Sequence, residues 1–269
     1  MAIAVLVLIN AVFLTVIITD SVADSRSKRL AIENVCSVLN DNGIAVDADD
    51  VGEYAALRAM KTTRVFESEE AVARRLLGDV ETTGQGAIYR YENAGAGYAE
   101  FSSAGVFEVR IEPGVILSGG DARKVADDLL RDMLIDASDI AVLSAPGRDT
   151  VTVLCTYKAA SIFNCAIEFA FEGGSLTAVT GRYLTGIEAV EDGHVLSSPG
   201  TALLAFLSAV RKGDVECAKI ESVEAGFQHH ESNPYGEGEI SPAWLIVADT
   251  GRYILDDATG EILSRQMAE

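Results

Sequence analysis

The sequence predicts an α+β protein in which an N-terminal transmembrane helix precedes units of one helix followed by an antiparallel meander. Three observations carry this prediction. The first 19 residues hold no charged side chain. The rest of the chain alternates between helical apolar spacing and period-two spacing. Apolar residues make up 49% of the 269 residues, which is enough to bury a core.

The apolar segment 2–19 is long enough to cross a bilayer, since a helix of this length spans roughly 27 Å at ~1.5 Å per residue. Asn10 lies near its middle, where an amide in hydrocarbon is costly without a partner. Asn10 and Thr15 are therefore candidates for contact with a partner's helix, and the alternative is that Asn10 is merely tolerated. A signal peptide cleaved after Ala23 is the rival interpretation, but the long apolar run and the missing basic n-region favour an uncleaved anchor.

The charge balance excludes one class of function. Asp and Glu number 41 against 21 Lys and Arg, so the formal net charge is -20. A surface this acidic repels phosphate backbones and anionic lipid headgroups. The sequence therefore argues against nucleic-acid binding.

Apolar spacing predicts four helices in the region after the anchor. They are residues 21–41, Ser68–Leu77 with Ser68 as N-cap, Asp121–Ile135, and 198–212 with Pro199 in its first turn. Each of the last three precedes three predicted strands. The strands are Ala87–Asn93, Gly97–Ser103, Val106–Glu112, 151–159, 161–174, 176–184, 217–227, 241–249 and 251–257, and the chain closes with a turn at 258–263.

This pattern divides the chain into three predicted parts. They are a transmembrane helix at 1–19, an N-terminal α+β subdomain at 20–117 and a C-terminal α+β subdomain at 118–269. Helices followed by antiparallel strands predict helices packed on one face of the sheets. No strict sequence period accompanies the repeated layout.

Three stretches carry a resemblance to known families. They are LVLINAVFLTV at 6–16, ENVCSVLNDNGIAVD at 33–47, and the C-terminal VEAGFQHH and SPAWLIVADTGRYILDDATGEI at 223–230 and 241–262. In this order they resemble the YycI family of bacterial membrane-anchored regulatory proteins, and more loosely its YycH partner family. The region of about 198–269 also resembles the repeating unit of PepSY-type domains, in which a helix leads into a meander ending near a T-G-E turn.

The resemblance implies a single-pass protein of the cell membrane with the bulk of the chain outside the cytoplasm. It implies contacts with a sensor histidine kinase of a two-component system and with a sister membrane-anchored regulator. A count of basic residues near the span, Arg26, Lys28 and Arg29, would by itself place the C-terminal part in the cytoplasm. The basic cluster expected before the span in the implied topology is missing.

Histidines and cysteines offer little chemistry in this sequence. His229 and His230 are adjacent, and on a strand they point to opposite faces, so a solvated loop is the favoured interpretation over a metal site. The four cysteines contain no C-x-x-C pair. Cys155 and Cys165 fall near each other across a predicted hairpin, so they form either a disulfide outside the cytoplasm or two small buried apolar residues.

The remaining polar and aromatic candidates have structural interpretations. Asp127–Asp128 belong to a solvated helix face, and Asp256–Asp257 cap the backbone at a strand turn rather than forming a catalytic carboxylate pair. Trp244, the only tryptophan, is either core beneath the last meander or a partner contact.

The sequence thus predicts a non-enzymatic regulator, with no cofactor, no metal site and no small-molecule substrate. It would act on the histidine kinase through its transmembrane helix and its extracytoplasmic region. The alternative is a PepSY-like inhibitor or chaperone of an exported protease, based on the repeated helix-and-meander layout.

Overall fold

The computed structural model describes most of the chain after the predicted anchor. The described residues are 26–267, apart from residue 53, residues 103–104 and residues 233–235. The predicted span at 1–19, with Asn10 and Thr15, lies outside them. Among the described residues, no helix combines the length and the hydropathy that crossing a bilayer takes.

Four α-helices and one short 3-10 helix are present in the described part of the chain. They are α1 (26–41), the 3-10 helix Ala48–Asp50, α2 (Phe66–Leu77), α3 (Ala122–Asp132) and α4 (Pro199–Lys212). Local signals explain the ends of α4, because Ser198 accepts a hydrogen bond from the Thr201 N–H and Gly213 takes the left-handed conformation, with φ 82°. The predicted Ser68 cap of α2 is wrong, because the helix begins at Phe66 with Val65 as N-cap.

The strands form three successive meanders and two short additions. The additions are β1 (Met60–Thr62) and β10 (Glu188–Ala189). The meanders are β2 (Glu81–Gln85), β3 (Ile88–Asn93), β4 (Gly97–Phe101) and β5 (Val106–Ile111); β6 (Ala137–Ala145), β7 (Arg148–Tyr157), β8 (Ala160–Glu172) and β9 (Ser175–Arg182); and β11 (Ile220–Glu231), β12 (Gly238–Ala248), β13 (Gly251–Asp256) and β14 (Ile262–Met267). The mixed α+β class predicted from the sequence is confirmed.

Each meander has four strands where the sequence predicted three. The additional strands are β2, β6 and β14, and each pairs with a single neighbour in the described structure. An edge strand with little buried surface lacks the apolar alternation that reveals an interior strand. The sequence of β6, ASDIAVLSA, shows this directly, since no residue of the strand is fully buried.

The strands join into two sheets that meet at one point. The first runs in the order β6-β7-β8-β9-β5-β4-β3-β2 and is antiparallel throughout. The second contains β11, β12, β13 and β14, with β1 and β10 beside the start of β12. A single parallel bridge, Phe227 to Ile162, connects β11 to β8.

Helices cover one face of each sheet. Side chains of α2 and α3 pack with the first sheet in one large core, which includes Val151, Val153 and Phe169. Side chains of α1 and α4 pack with the second sheet around Trp244 and Tyr253. Because neighbouring residues of a strand point to opposite faces, the residues between these core positions lie on helix-free faces.

The predicted subdomain boundary at 117/118 falls between β5 and α3. Hydrogen bonds between β5 and β9 cross it, so the first sheet contains strands from both sides of the boundary. The division into two subdomains stays a prediction.

Candidate functional site

Trp244 lies in the core of the second sheet, with 0% of its surface exposed. Its ring packs edge-on against Tyr54, with ring centroids 5.5 Å apart. Its indole N–H donates to Asp257 Oδ1 at 3.0 Å. The structure thus gives Trp244 a packing role, and the ring has no free surface for a partner.

Asp257 is the centre of a polar network around that indole. Its side chain is 1% exposed. Besides the indole, it accepts hydrogen bonds from Ser197 Oγ at 2.5 Å, from the Ser197 backbone N–H at 2.7 Å and from His194 Nε2 at 2.7 Å. The network ties the segment before α4 to β12 and β13. Of the two predicted turn caps, Asp256 has the predicted role, accepting from the Thr259 N–H, whereas Asp257 is a buried junction.

Ser197, His194 and Asp257 are the residue types of a hydrolase triad, but their order is different. In a triad the imidazole lies between the hydroxyl and the carboxylate, so it can take the hydroxyl proton. Here the carboxylate lies between the other two groups and binds both directly. The Ser197 hydroxyl therefore donates its proton to the carboxylate and not to the imidazole.

The predicted solvated loop at His229 and His230 is wrong, because both residues lie in β11. His229 is buried, and its backbone N–H and C=O both bind the side-chain amide of Asn164 in β8, at 2.9 and 2.8 Å. Arg182 Nη1 donates to His229 Nδ1 at 3.2 Å, which leaves the ring proton on Nε2. Burial, helped by the guanidinium, lowers the pKa of His229 to about 4.

A buried ion pair fixes the start of α2. Arg64 binds both carboxylate oxygens of Glu69 at 2.6 and 2.9 Å, and both side chains are almost fully buried. The same guanidinium donates to the carbonyls of Ala87 and Phe101 and lies 4.7 Å from the Phe66 ring centroid. The helix therefore starts ahead of Ser68, because Glu69 in its first turn is held by Arg64.

The helix-free faces of the two sheets form a cleft beside their junction. The cavity in it has a volume of about 320 Å³. Thr152, Leu154 and Ala166 line one wall, Leu245 and Ile254 line the other, and Phe163 lies between them. Its lining is mainly apolar, with Asp139 and Arg252 as the charged side chains. Such a concave surface can receive the side chains of a ligand.

Strand β6 borders this cleft and is a free edge of the first sheet. It pairs with β7 on one side, and none of the described strands pairs with the other. Val142 and Leu143 are 44% and 75% exposed. Ala141 lines the cleft, so the alternation of a strand places Leu143 on the same face.

Cys155 and Cys165 are both buried and both are free thiols in this structure. They lie near one another, as the predicted hairpin required, and each donates to the carbonyl oxygen of Arg182. The other two cysteines, Cys36 and Cys217, belong to the core of the second sheet. Within the described part of the chain, no group of three or more His, Cys, Asp or Glu residues is placed to hold a metal ion.

Sequence reasoning missed the cleft and its free edge. The cleft depends on contact between β8 and β11, which are about 60 residues apart, and no local pattern reveals such a pairing. One available signal was IAVLSA at 140–145, six consecutive residues without a charge. Such a run following a predicted helix could have been read as a further strand.

Comparison with known proteins gives matches by structure but none by sequence. No family model matches the chain, and no curated protein matches it significantly. The chain is similar to the crystal structure of an uncharacterized protein from Eubacterium rectale, with a TM-score of 0.52 and 11% identity over 81% of this chain and 88% of that chain. At this identity the likeness shows the fold alone.

A second similar structure is the C-terminal domain of YpeB from Bacillus megaterium. Its TM-score is 0.40, with 12% identity over 77% of this chain and 99% of that chain, and a score this low does not establish a shared fold. The resemblance to the YycI family finds no support in these comparisons. The layout attributed to PepSY-type units is present in α4 and β11–β14, with the T-G-E turn at 259–261 between β13 and β14.

Proposed function

We propose that this chain is a non-enzymatic protein that binds an extended segment of a partner polypeptide along β6. The partner's backbone would pair with the free edge of the strand, and alternate side chains would enter the cleft. In this mode of recognition, main-chain hydrogen bonds give affinity and pockets for alternate side chains give specificity.

The free edge of β6 is the observation that carries the proposal. Natural proteins protect exposed edge strands with Lys, Pro, register irregularities or inward-pointing charges, because an unprotected edge recruits other strands. The start of β6 has two such features, because Asp139 lines the cleft and the register shifts between Ser138 and Ala141. The segment 140–145 beyond them carries no charge and no Pro, and Leu143 is 75% exposed. An apolar edge of this kind fits a surface that is covered in a complex.

The charge of the chain favours one kind of occupant. At a net charge of -20, a second copy of the chain would be repelled, whereas a basic segment would be attracted. Asp139 lines the cleft, on the side where the segment would bind. The partner segment is therefore expected to alternate apolar residues with Lys or Arg.

Of the two roles predicted from the sequence, this site fits the inhibitor or chaperone of an exported protease more directly. An extended segment held along a strand edge is what a chaperone of a secreted chain would bind. Regulation of a histidine kinase through the membrane rests on Asn10 and Thr15, which lie outside the described residues. In both roles the chain would be a single-pass protein with this region outside the cytoplasm.

A peptide selection on the full-length protein in detergent micelles tests the proposal. Random peptides would be selected on the wild-type chain, and their affinities compared with Leu143→Lys and with Leu30→Lys as a matched control. Leu30 is also exposed, but it lies on α1. We expect the selected peptides to alternate apolar residues with Lys or Arg. Their affinity for Leu143→Lys should be at least tenfold weaker than for the wild type, and their affinity for Leu30→Lys should be unchanged. Equal binding to all three proteins would overturn the proposal.

A further inference from the structure

Cys155 and Cys165 face each other where the β7–β8 hairpin changes register. In one register, Thr152 pairs with Glu168. Two steps further along, Leu154 pairs with Ala166. The next step of the same register places Cys155 opposite Cys165. Beyond this step the register shifts. Directly opposed residues of an antiparallel pair have Cβ atoms about 4.5–5.5 Å apart, close to the 3.5–4.5 Å of a disulfide. A small adjustment at an irregular step therefore suffices to bring the two sulfur atoms into bonding distance.

The two sulfur atoms converge on one backbone oxygen. Cys155 Sγ lies 3.9 Å and Cys165 Sγ 3.3 Å from the carbonyl oxygen of Arg182. The proximity of Cys155, together with burial, raises the pKa of Cys165 far above that of an ordinary thiol. Cys155 is the more exposed of the two cysteines, at 5% against 1%, so it is the thiol that a reagent reaches first.

A cavity connects this pair to the surface. Its volume is about 240 Å³, and both cysteines line it together with Leu134, Ile135 and Ile187. Leu134 is 90% exposed, so the cavity reaches solvent at that residue. A small thiol reagent can enter by this route, although each cysteine is at least 95% buried.

We infer that Cys155 and Cys165 form an oxidation site that closes to an intramolecular disulfide by exchange with a low-molecular-weight disulfide. The Cys155 thiolate attacks one sulfur of the small disulfide, which forms a mixed disulfide and releases one small thiolate. Cys165 then loses its proton to solvent and attacks the Cys155 sulfur, which releases the second small thiol. The two cysteines are oxidised, and one small disulfide is reduced to two thiols.

The bond would fix the sheet junction. The part of β8 that precedes Cys165 pairs with β7 in a shifted register, and it contacts β11 at Ile162. A cross-link at this step ties β7 to β8 where the two sheets separate, so the oxidised chain would hold the cleft in one geometry. This inference rests on the hairpin and not on the proposed function.

Graded oxidation of the full-length protein tests the inference. The chain in detergent micelles would be equilibrated with glutathione buffers of increasing oxidising strength, quenched with acid, alkylated in denaturant and mapped by mass spectrometry. We expect two of the four thiols to resist alkylation, joined as Cys155–Cys165. Retention of all four thiols, or a disulfide that includes Cys36 or Cys217, would overturn the inference.

Single variants test the order of attack. Cys165→Ser should accumulate a glutathione adduct on Cys155, whereas Cys155→Ser should leave Cys165 unmodified. An adduct on Cys165 but none on Cys155 would contradict the order derived from the thiol pair. In case a serine disturbs the buried site, Cys155→Ala and Cys165→Ala repeat the measurement, and circular dichroism of each variant establishes that it is folded.

Discussion

Replacing Asp257 with Asn perturbs the buried network with almost no change in volume. The carboxylate accepts four hydrogen bonds, two at each oxygen: Ser197 Oγ and Trp244 Nε1 at Oδ1, and the Ser197 N–H and His194 Nε2 at Oδ2. The amide of Asn has one oxygen and one NH₂ group. One pair of donors must therefore face the NH₂ group.

Either orientation of the amide leaves a buried donor without an acceptor. If the NH₂ group replaces Oδ1, the indole N–H of Trp244 loses its partner, and if it replaces Oδ2, the Ser197 N–H does. Neither donor can become an acceptor, in contrast to a hydroxyl or an imidazole. An unsatisfied buried donor costs about 1–3 kcal/mol, and losing the charge from the remaining bonds costs about 1 kcal/mol more. The expected loss of unfolding free energy is about 3 kcal/mol.

Thermal and urea unfolding measure this loss. For a chain of this size, about 3 kcal/mol corresponds to a fall in melting temperature of about 6–12 °C. Asp256→Asn is the matched control, because Asp256 caps an exposed turn through Thr259, and we expect it to cost under about 1 kcal/mol. If Asp257→Asn were as stable as the wild type, the network would not be the junction described above.

Three further predictions concern the contact between β8 and β11. Gly226→Ala should lower the free energy of unfolding, measured in urea, by about 1–3 kcal/mol, because the added Cβ would lie 2.4 Å from the Phe163 ring. Gly95→Ala is the control, because its Cβ has no such close contact and the change should be near neutral. Equal losses in the two variants would refute the packing argument. Asn164→Ala should cost about 1–3 kcal/mol by releasing the His229 backbone, and unchanged hydrogen exchange at residue 229 would contradict this. The pKa of His229 is about 4 in the folded chain and 6.5 for an ordinary imidazole. The unfolded chain therefore binds a proton more readily as the pH decreases from 6.5 towards 4, and the free energy of unfolding falls, by about 2–3 kcal/mol at pH 4.5. His229→Gln should lose less stability than the wild type between pH 7.5 and 4.5, and an identical pH dependence would refute the assignment.

Local signals in the sequence predicted most of the helices and interior strands. Helix α4 is the clearest case, because Ser198, Pro199 and Gly213 mark its two ends. Interior strands such as β7 could be predicted because apolar residues recur at every second position, and these positions are the buried ones in the structure. The edge strands β2, β6 and β14 were missed because an edge with little buried surface carries no alternation.

The candidate site could not be predicted in the same way. The cleft arises from the contact of β8 with β11, and the Asp257 network joins residues about 60 positions apart. The spacing of Cys155 and Cys165 around a hairpin did predict their proximity. His229 was assigned to a loop because two adjacent histidines cannot easily share a metal ion, yet its contacts with Asn164 and Arg182 allow its burial in a strand.

Hydrogen exchange along β6 tests the central claim most directly. A peptide that alternates apolar and basic residues would be added to the full-length protein, and exchange followed by mass spectrometry. The account predicts that amides within 140–145 become slower to exchange on binding, because the added strand pairs with the free edge of β6. Slower exchange confined to another edge strand such as β2, with 140–145 unchanged, would contradict it.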